Sequence, residues 1–228
     1  YGYCKGCFEP IDHHPAGMVK LRQAALLLDD ARRMAVAREI VRGATHNMLA
    51  NLRYYQYRGV AALIPIITAM QRLQDKIATC DGSEALMGVE GSLHEWYYSG
   101  WKHIDAALDF TPRVRRPPNN PINCLLSFLN QMTYAVTRHE ASKTHLEETF
   151  SLLHSPGRDR ASLSLDLAEP FKPVIVDMLI FRIVRRNMLA NEWFEQTEGI
   201  CLLTETGRRH VSEQFAQRLA QDIARRQV

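Results

Sequence analysis

The sequence has 228 residues, of which 46% are hydrophobic and 23% are charged. This composition is typical of a globular chain that buries a core, and it excludes a disordered or low-complexity protein. The formal net charge is only +3, so binding of a polyanion would depend on local clusters of positive charge. No apolar run reaches the roughly 18 residues that cross a bilayer, and no signal-peptide pattern is present, so we expect a cytoplasmic protein with no membrane partner.

Residues 1–17 are rich in glycine and proline and are predicted to be a linker or the remnant of an upstream domain. Cys4 and Cys7 form a Cys-x-x-Cys pair there, with two histidines nearby. Two thiolates and two imidazoles suit a tetrahedral zinc ion, but one such pair is weak evidence, and the sequence leaves zinc binding open. The other cysteines lie in or beside apolar runs and are expected to be buried: Cys80, Cys124 and Cys201.

Residues 18–228 are predicted to form an all-α domain, because apolar residues recur at near-3.6 spacing and strand-like alternation is almost absent. A first helical run is predicted to end near Gly43, and further helices are expected over residues 45–57 and 61–77. Pro65 falls close to the first turn of the last of these, where proline is tolerated.

A long helix is predicted over residues 85–108, with Ser83 as a candidate N-cap. Six residues are expected to line one stripe of it: Val89, Leu93, Trp96, Gly100, Ile104 and Leu108. After a proline-rich break, helices are expected over residues 123–138, 144–153 and 163–187, the last of them interrupted near Pro170 and Pro173, and from Glu205 to the end.

Positive charge is concentrated in three arginine clusters: Arg113, Arg115 and Arg116; Arg158 and Arg160; Arg182, Arg185 and Arg186. Taken singly, each cluster is explained by a solvated helix face. Together, on a nearly neutral chain, they predict a confined track for a polyanion.

Three groups stand out as candidates for chemistry. Glu90 lies between two glycines, which leave room for a phosphate or a backbone to approach. Asp166 and Glu169 are three residues apart, so on a helix they share a face. Together with His154 they are a reasonable shell for Mg²⁺ or Mn²⁺, but Glu90 with His94 at i,i+4 is a rival pair, and caps or arginine partners explain lone carboxylates equally well. Spacing alone leaves these alternatives open.

A series of motifs, taken in order, resembles the CRISPR-associated integrases of the Cas protein one family. The run from Gly88 to Gly91, followed by Trp96-Tyr97, is similar to the family's glutamate motif. His154 and the run from Ser162 to Glu169 resemble its histidine and acidic motifs. The similarity covers nearly all of residues 18–220.

This resemblance implies a multi-helix catalytic domain, with the family's N-terminal β-domain missing or outside this chain. It implies that Glu90, His154 and Glu169 hold a divalent metal, Mg²⁺ or Mn²⁺, and that Asp166 supports that shell or a second ion. It further implies phosphate contacts from six basic residues: Arg113, Arg115, Arg116, Arg158, Arg160 and Lys172.

The implied reaction is a transesterification, in which a 3′-hydroxyl of spacer DNA attacks a phosphodiester of the repeat array. The implied partners are double-stranded DNA, the small adaptation protein Cas protein two, a second copy within a larger complex, and an upstream adaptation enzyme fused to the chain. Two alternatives stay open: a transposon-type relative of this integrase, and a non-catalytic DNA-binding scaffold.

Overall fold

The computed structural model describes residues 17–110, 112–154 and 161–221. These residues form eight α-helices and one antiparallel hairpin: α1 (Gly17–Leu28), α2 (Asp30–Gln56), α3 (Ile64–Lys76), α4 (Gly82–Ile104), α5 (Pro121–Ser142), α6 (Ser162–Ala168), α7 (Met178–Arg185), β1 (Phe194–Thr197), β2 (Ile200–Leu203) and α8 (Glu205–Leu219). A π-helical turn, Pro173–Asp177, precedes α7. The prediction of a helical domain is confirmed for the described residues, with the hairpin as an addition. None of their helices is both long and apolar enough to cross a membrane.

The centre of the core is α4, which packs against both α2 and α3. Gly100 allows the close approach, because a Cβ at this position would lie 3.3 Å from Leu63 Cδ2. The predicted stripe is right for Leu93 and Gly100 but wrong for Trp96, which is 44% exposed. Tyr97 is buried in its place, because the apolar face is centred one residue further along the helix.

The predicted end of a helix at Gly43 is wrong, since α2 runs through it without a break. The chain breaks earlier, at Asp29, whose side chain accepts a hydrogen bond from the Arg32 backbone N–H at 3.1 Å. Gly43 instead faces the ring of Pro170, and one turn later Asn47 Nδ2 donates to the Pro170 carbonyl at 2.7 Å. The middle of α2 therefore supports the turn that follows α6.

Ser83 is not the N-cap of α4, because Asp81 precedes the first helical residue. The helix predicted over residues 144–153 is also wrong, and the structure has turns there. The backbone N–H groups of Leu152 and Leu153 donate to the side chain of Asp166 rather than to helical carbonyls. This arrangement draws the segment onto α6.

The hairpin β1–β2 was not predicted. Its turn places Glu198 and Gly199 at positive φ, 49° and 79°, which is the backbone of a tight type I′ turn. The Cys201 N–H donates to the Pro118 carbonyl at 2.8 Å and ties the hairpin to the loop before α5. As predicted, Cys80, Cys124 and Cys201 are buried. The Cys4–Cys7 pair lies outside the described residues, so zinc binding there stays a prediction, as does the linker at residues 1–17.

Candidate metal centre and its basic cavity

Two helices bring an imidazole between two carboxylates. Glu90 and His94 lie one turn apart on α4, and His94 Nε2 is 3.0 Å from Glu90 Oε1. Glu169, at the C-cap of α6, places its Oε2 3.9 Å from the same nitrogen. One ligand atom from each of the three residues lies within 4.8 Å of the others. Spacing of this kind suits side chains that share one cation.

The two oxygens of Glu169 differ in their surroundings. Lys172 Nζ donates to Oε1 at 2.5 Å, whereas Oε2 is buried and has no hydrogen-bond partner among the described residues. Glu169 as a whole is only 5% exposed. A buried carboxylate oxygen without a partner is costly, and native proteins keep one mainly where a ligand satisfies it. This donor set therefore fits a divalent cation.

His154 is oriented by the buried carboxylate of Asp166. The His154 Nδ1 lies 2.6 Å from Asp166 Oδ1, and the same carboxylate accepts the His154 backbone N–H at 3.2 Å. Asp166 is completely buried. When the carboxylate accepts a hydrogen bond from Nδ1–H, the ring keeps Nε2 as its free nitrogen. Metal-binding histidines are usually oriented in this way. The hydrogen bond to Asp166 raises the pKa of His154 despite partial burial.

Charges within the site compensate one another. Burial acts to raise the pKa of Glu90, but the hydrogen bond and charge of His94 outweigh it, so this pKa is lowered. Burial likewise acts to lower the pKa of His94, which Glu90 and Glu169 raise overall. The pKa of Lys172 is also raised, because the attraction of Glu169 outweighs burial. The lowered pKa of Glu90 thus follows mainly from the contact with His94 across one turn of α4.

A fourth carboxyl, Asp177, lies beneath the site and is only 3% exposed. Burial raises its pKa to about 7, although its hydrogen bond with Tyr97 acts in the opposite direction. Asn51 completes this buried network, because its Nδ2 donates to Tyr97 Oη and to the Pro173 carbonyl, both at 2.9 Å. The network fixes α4 to the turn that carries Glu169 and Lys172.

The acidic cluster opens into a cavity of about 540 Å³. We call Glu90, His94 and Glu169 its acidic wall. His154 and Lys172 line the same cavity, so the structure brings the predicted ligands to one place. Asp166 contacts the ring of His154 but does not itself line the cavity. A Cβ at Gly88 or Gly91 would meet nothing within 4 Å, so the helix surface beside Glu90 is open.

Three predicted phosphate-binding arginines also line the cavity, and we call them its basic wall: Arg113, Arg115 and Arg116. Arg113 is anchored, since its guanidinium donates to Asn123 Oδ1 at 2.9 Å and to Ser127 Oγ at 3.0 Å. Arg115 and Arg116 are exposed and take part in none of the ion pairs within the described ranges. Arg158 and Arg160 lie outside the described residues.

One face of α5 completes the lining and was not predicted as part of the site. It contributes Ser127, Asn130, Gln131, Tyr134, Ala135 and Arg138. The polar members recur every three to four residues on an otherwise apolar helix, and this periodicity is the signal that predicts such a face. Lys172 Nζ lies 4.8 Å from the centre of the Tyr134 ring, so that ring covers the buried ammonium group.

Comparisons with known proteins agree with this picture. The family model for CRISPR associated protein Cas1 matches residues 1–217. A CRISPR-associated endonuclease Cas1 from Moorella thermoacetica is 36% identical over all of this chain and 69% of its own length. Another from Fusobacterium nucleatum is 34% identical over all of this chain and 68% of its own length.

Solved structures give the same result. A Cas1 protein from Thermotoga maritima matches with a TM-score of 0.85 and 31% identity, over 96% of this chain and 69% of that one. A casposase bound to integration product (TM-score 0.79, 21% identity, 90% of this chain and 60% of that one) shares the fold. So does a chain of a Cas6-RT-Cas1–Cas2 complex (TM-score 0.83, 21% identity, 97% and 24%).

The family model and the relatives named as endonucleases place this helical chain in a class of nucleases. Within that class, the chain belongs to the Cas1 family of CRISPR-associated endonucleases. The predicted resemblance to this family is therefore confirmed.

Proposed function

We propose that this chain is the catalytic domain of a divalent-metal-dependent DNA integrase of CRISPR adaptation, which inserts spacer DNA into the repeat array. The observation that carries the proposal is the buried Oε2 of Glu169, which accepts no hydrogen bond among the described residues and lies beside Glu90. The cavity also holds Arg115 and Arg116, which form no ion pair within the described residues. A cation at the carboxylates and a phosphodiester at the arginines would satisfy both sets of charges. Family membership supports the same activity.

Glu90, His154 and Glu169 would hold Mg²⁺ or Mn²⁺. Carboxylate oxygens suit either ion, and an imidazole is acceptable to Mn²⁺ in particular. When bound, the ion would stabilise negative charge on the phosphodiester oxygens. The hydrogen bond from His154 to Asp166 supports its choice as the imidazole ligand, while the short distances to both glutamates make His94 the rival.

In the proposed reaction the 3′-oxygen of the spacer strand forms a bond to phosphorus, and the bond from phosphorus to the 3′-oxygen of the repeat strand breaks. The attacking hydroxyl loses its proton and the departing 3′-oxygen gains one. One phosphodiester replaces another, so the reaction needs no covalent enzyme intermediate. Arg113, Arg115 and Arg116 would hold phosphates, which positions the DNA without reading its bases.

The partners follow from the same proposal. Joining both ends of a spacer requires two active centres at a fixed separation, and we propose that a second copy of this chain and the small protein Cas2 provide that scaffold around double-stranded DNA. One structural neighbour is named as a Cas6-RT-Cas1–Cas2 complex. This name supports Cas2 as a partner and fusion to an upstream adaptation enzyme as proposals for this chain.

The test replaces each ligand singly and measures Mn²⁺-dependent strand transfer on branched DNA. We expect Glu90→Ala, His154→Ala and Glu169→Ala each to abolish it, because ligands of one ion act as a unit. Glu95→Ala, an exposed position on the same helix, is the matched control and should retain activity. Full activity in Glu169→Ala would overturn the assignment. Loss in His94→Ala but not in His154→Ala would move the imidazole ligand to His94.

The same assay separates the alternatives. A non-catalytic scaffold would bind the branched DNA without any metal-dependent product. A transposon-type integrase would join its own element's ends in preference to a repeat-derived target. A casposase bound to integration product shares the fold, and so this alternative stays in the test.

A further inference from the structure

A second basic surface lies at the C-terminal ends of α2 and α7. It includes the predicted cluster of Arg182, Arg185 and Arg186, which does not line the cavity. It consists of five arginines and two tyrosines, which we call the arginine–tyrosine surface: Tyr54, Tyr55, Arg58, Arg182, Arg185, Arg186 and Arg218. None of the seven residues lines the cavity. The surface is therefore distinct from the candidate metal centre.

Stacking on the tyrosines holds two of the arginines. The guanidinium carbon of Arg58 lies 4.4 Å from the centre of the Tyr54 ring, and that of Arg185 lies 5.3 Å from the centre of the Tyr55 ring. The Tyr54 and Tyr55 rings pack edge to face, with their centres 5.0 Å apart. Stacking fixes the plane of the Arg58 guanidinium, whereas Arg185 also hydrogen-bonds the Tyr55 side chain. A guanidinium has five N–H donors, so most of them remain available in both arginines.

The other three arginines are crowded together. Arg182 donates to Gln214 Oε1 at 3.1 Å, and Arg218 donates to the Val174 carbonyl at 2.9 Å, so both acceptors are neutral. Burial lowers the pKa of Arg182, and the positive charges of Arg186 and Arg218 lower it further. Like charges thus accumulate here, and no carboxylate of the described residues forms an ion pair with them.

None of the five arginines takes part in an ion pair within residues 17–110, 112–154 and 161–221. Basic residues at the C-terminal ends of helices are favoured by the helix dipole, and this accounts for a single arginine at each end. It does not account for five, because each additional one repels the others. Arg58, Arg185 and Arg186 are exposed, so their charge is available to a partner.

The position of this surface relative to the cavity follows from the chain. Lys172 lines the cavity, and the π-helical turn Pro173–Asp177 and α7 lead from it directly to Arg185. These 13 residues span about 20 Å at the rise of a helix. Phosphates along one strand of duplex DNA are about 3.4 Å apart, so the distance corresponds to roughly six base pairs.

We propose that the arginine–tyrosine surface binds the sugar–phosphate backbone of duplex DNA that extends from the reacting phosphodiester. The proposal rests on the proposed function, because it takes the cavity as the place where that phosphodiester lies. Planar guanidinium groups with several free donors suit phosphate oxygens and carry no base specificity. The surface would hold the flanking duplex while the cavity holds the reacting strand.

The test uses branched DNA in which the duplex flank beyond the branch is short, about 3 bp closed by a hairpin, or long, about 15 bp, against a reach of roughly six base pairs. Affinity is measured by fluorescence anisotropy over a series of salt concentrations. The variant is Arg185→Gln/Arg186→Gln. The matched control is Arg22→Gln/Arg32→Gln, which removes one exposed charge from α1 and one from the first turn of α2. Arg32 is roughly 35 Å of helix from the C-terminal end of α2. Arg185→Lys/Arg186→Lys retains the charge and should rescue binding.

We expect the wild-type chain and the control to bind the long flank more tightly than the short one. The Arg185→Gln/Arg186→Gln variant should lose this gain, and its log-affinity against log-salt slope should become shallower by about two. Its strand-transfer rate on the short flank should match that of the wild type.

An equal loss in the control would overturn the proposal, since net charge alone would then explain the effect. An unchanged slope would overturn it as well, and so would tighter, Arg185-dependent binding of an RNA duplex of the same length. If the wild type transfers no strand but still shows the flank effect, the proposed function is wrong while this inference stands. If the wild type binds no duplex, both are wrong.

Discussion

The two walls of the cavity differ in whether their charged side chains have partners within the protein. On the acidic wall, Glu90 and Glu169 are largely buried and are already contacted by His94 and Lys172. On the basic wall, Arg115 and Arg116 are exposed and meet no carboxylate among the described residues. The acidic wall is therefore preorganised and balanced from within, whereas the basic wall depends on a ligand from outside.

The difference shows how such a site can accept a doubly charged ion and a polyanion together. Lys172 donates a hydrogen bond to one oxygen of Glu169, and the other accepts none among the described residues, so the carboxylate would still have an oxygen to offer to a metal ion. Substitutions in the acidic wall should consequently change stability as well as activity. Substitutions in the basic wall should change DNA binding alone.

The largest effect is expected for Asp166→Ala. Its carboxylate accepts the backbone N–H groups of Leu152, Leu153 and His154 and contacts the imidazole of His154. Removing it leaves several buried donors unpaired, so we expect a loss of about 3 kcal/mol or more in the free energy of unfolding. We also expect an affinity for Mn²⁺ lower by about 10- to 100-fold.

Urea unfolding and isothermal titration calorimetry measure these two effects. Asp75→Ala, at an exposed position on α3, is the control and should change neither. An Asp166→Ala variant with an unchanged unfolding midpoint would show that the carboxylate does not hold this segment in place.

The next effect concerns the internal balance of the acidic wall. Lys172→Met leaves the buried Glu169 carboxylate without its cation, and breaking such a pair costs about 3 kcal/mol. Mn²⁺ should then stabilise the variant more than the wild type, because the ion neutralises the same carboxylate. Thermal unfolding with and without Mn²⁺ measures the difference, and Lys172→Arg should behave like the wild type.

The predicted role of Lys172 as a phosphate contact is tested by the same variant. If the ammonium group serves mainly Glu169, the salt dependence of DNA binding should be unchanged in Lys172→Met. A slope shallower by about one would assign it to a phosphate instead. Equal stability of Lys172→Met and the wild type without metal would contradict the balanced acidic wall.

The pH dependence of stability should reveal whether Asp177 adds charge beneath the site. Its pKa in the folded chain is about 7, above the ordinary value of 3.8. The folded chain therefore holds this proton more tightly than the unfolded chain, so the contribution to stability is complete below about pH 4 and is lost as the pH rises through 7.

Asp177→Asn should remove this loss, and its stability should fall less between pH 4 and 8, by roughly 1.4 kcal/mol for each unit by which the pKa of Asp177 is raised. Urea titrations at several pH values measure the difference. Asparagine can still bond Tyr97, so the packing is preserved. Parallel pH profiles for the variant and the wild type would mean that Asp177 is ionised throughout.

The fold was predictable from the sequence wherever periodicity was strong, as in α4 and α5. It was not predictable at Gly43, because the packing of Pro170 outweighs the low helix propensity of glycine. The same limit applies to residues 144–153, whose N–H groups are satisfied by a distant carboxylate. The hairpin was not predicted because its strands are only four residues long, too short to show a clear alternation of apolar and polar residues.

The site was predictable in part. Glu90, His154 and Glu169 were indicated by resemblance, and they do line one cavity. Their spacing in the chain carried no such information, since Glu90 lies on α4, His154 in the turns before α6 and Glu169 at the end of α6, and only the tertiary fold brings these together. The unpaired oxygen of Glu169 depends on where Lys172 points, which no sequence pattern specifies.

The smallest effect on the fold, and the one that isolates the basic wall, is expected for Arg115→Gln/Arg116→Gln. Both side chains are exposed and lack ion pairs in the described residues, so the free energy of unfolding should stay within about 0.5 kcal/mol of the wild type. Binding should weaken for all DNA sequences alike, and the slope of log affinity against log salt should become shallower by about two. Anisotropy with two unrelated sequences across a salt series measures both quantities.

Mn²⁺ affinity without DNA should not change, because the acidic wall is balanced by His94 and Lys172 rather than by these arginines. A fall in Mn²⁺ affinity or in stability would show that the two walls are coupled, and an unchanged slope would show that these arginines do not meet phosphate.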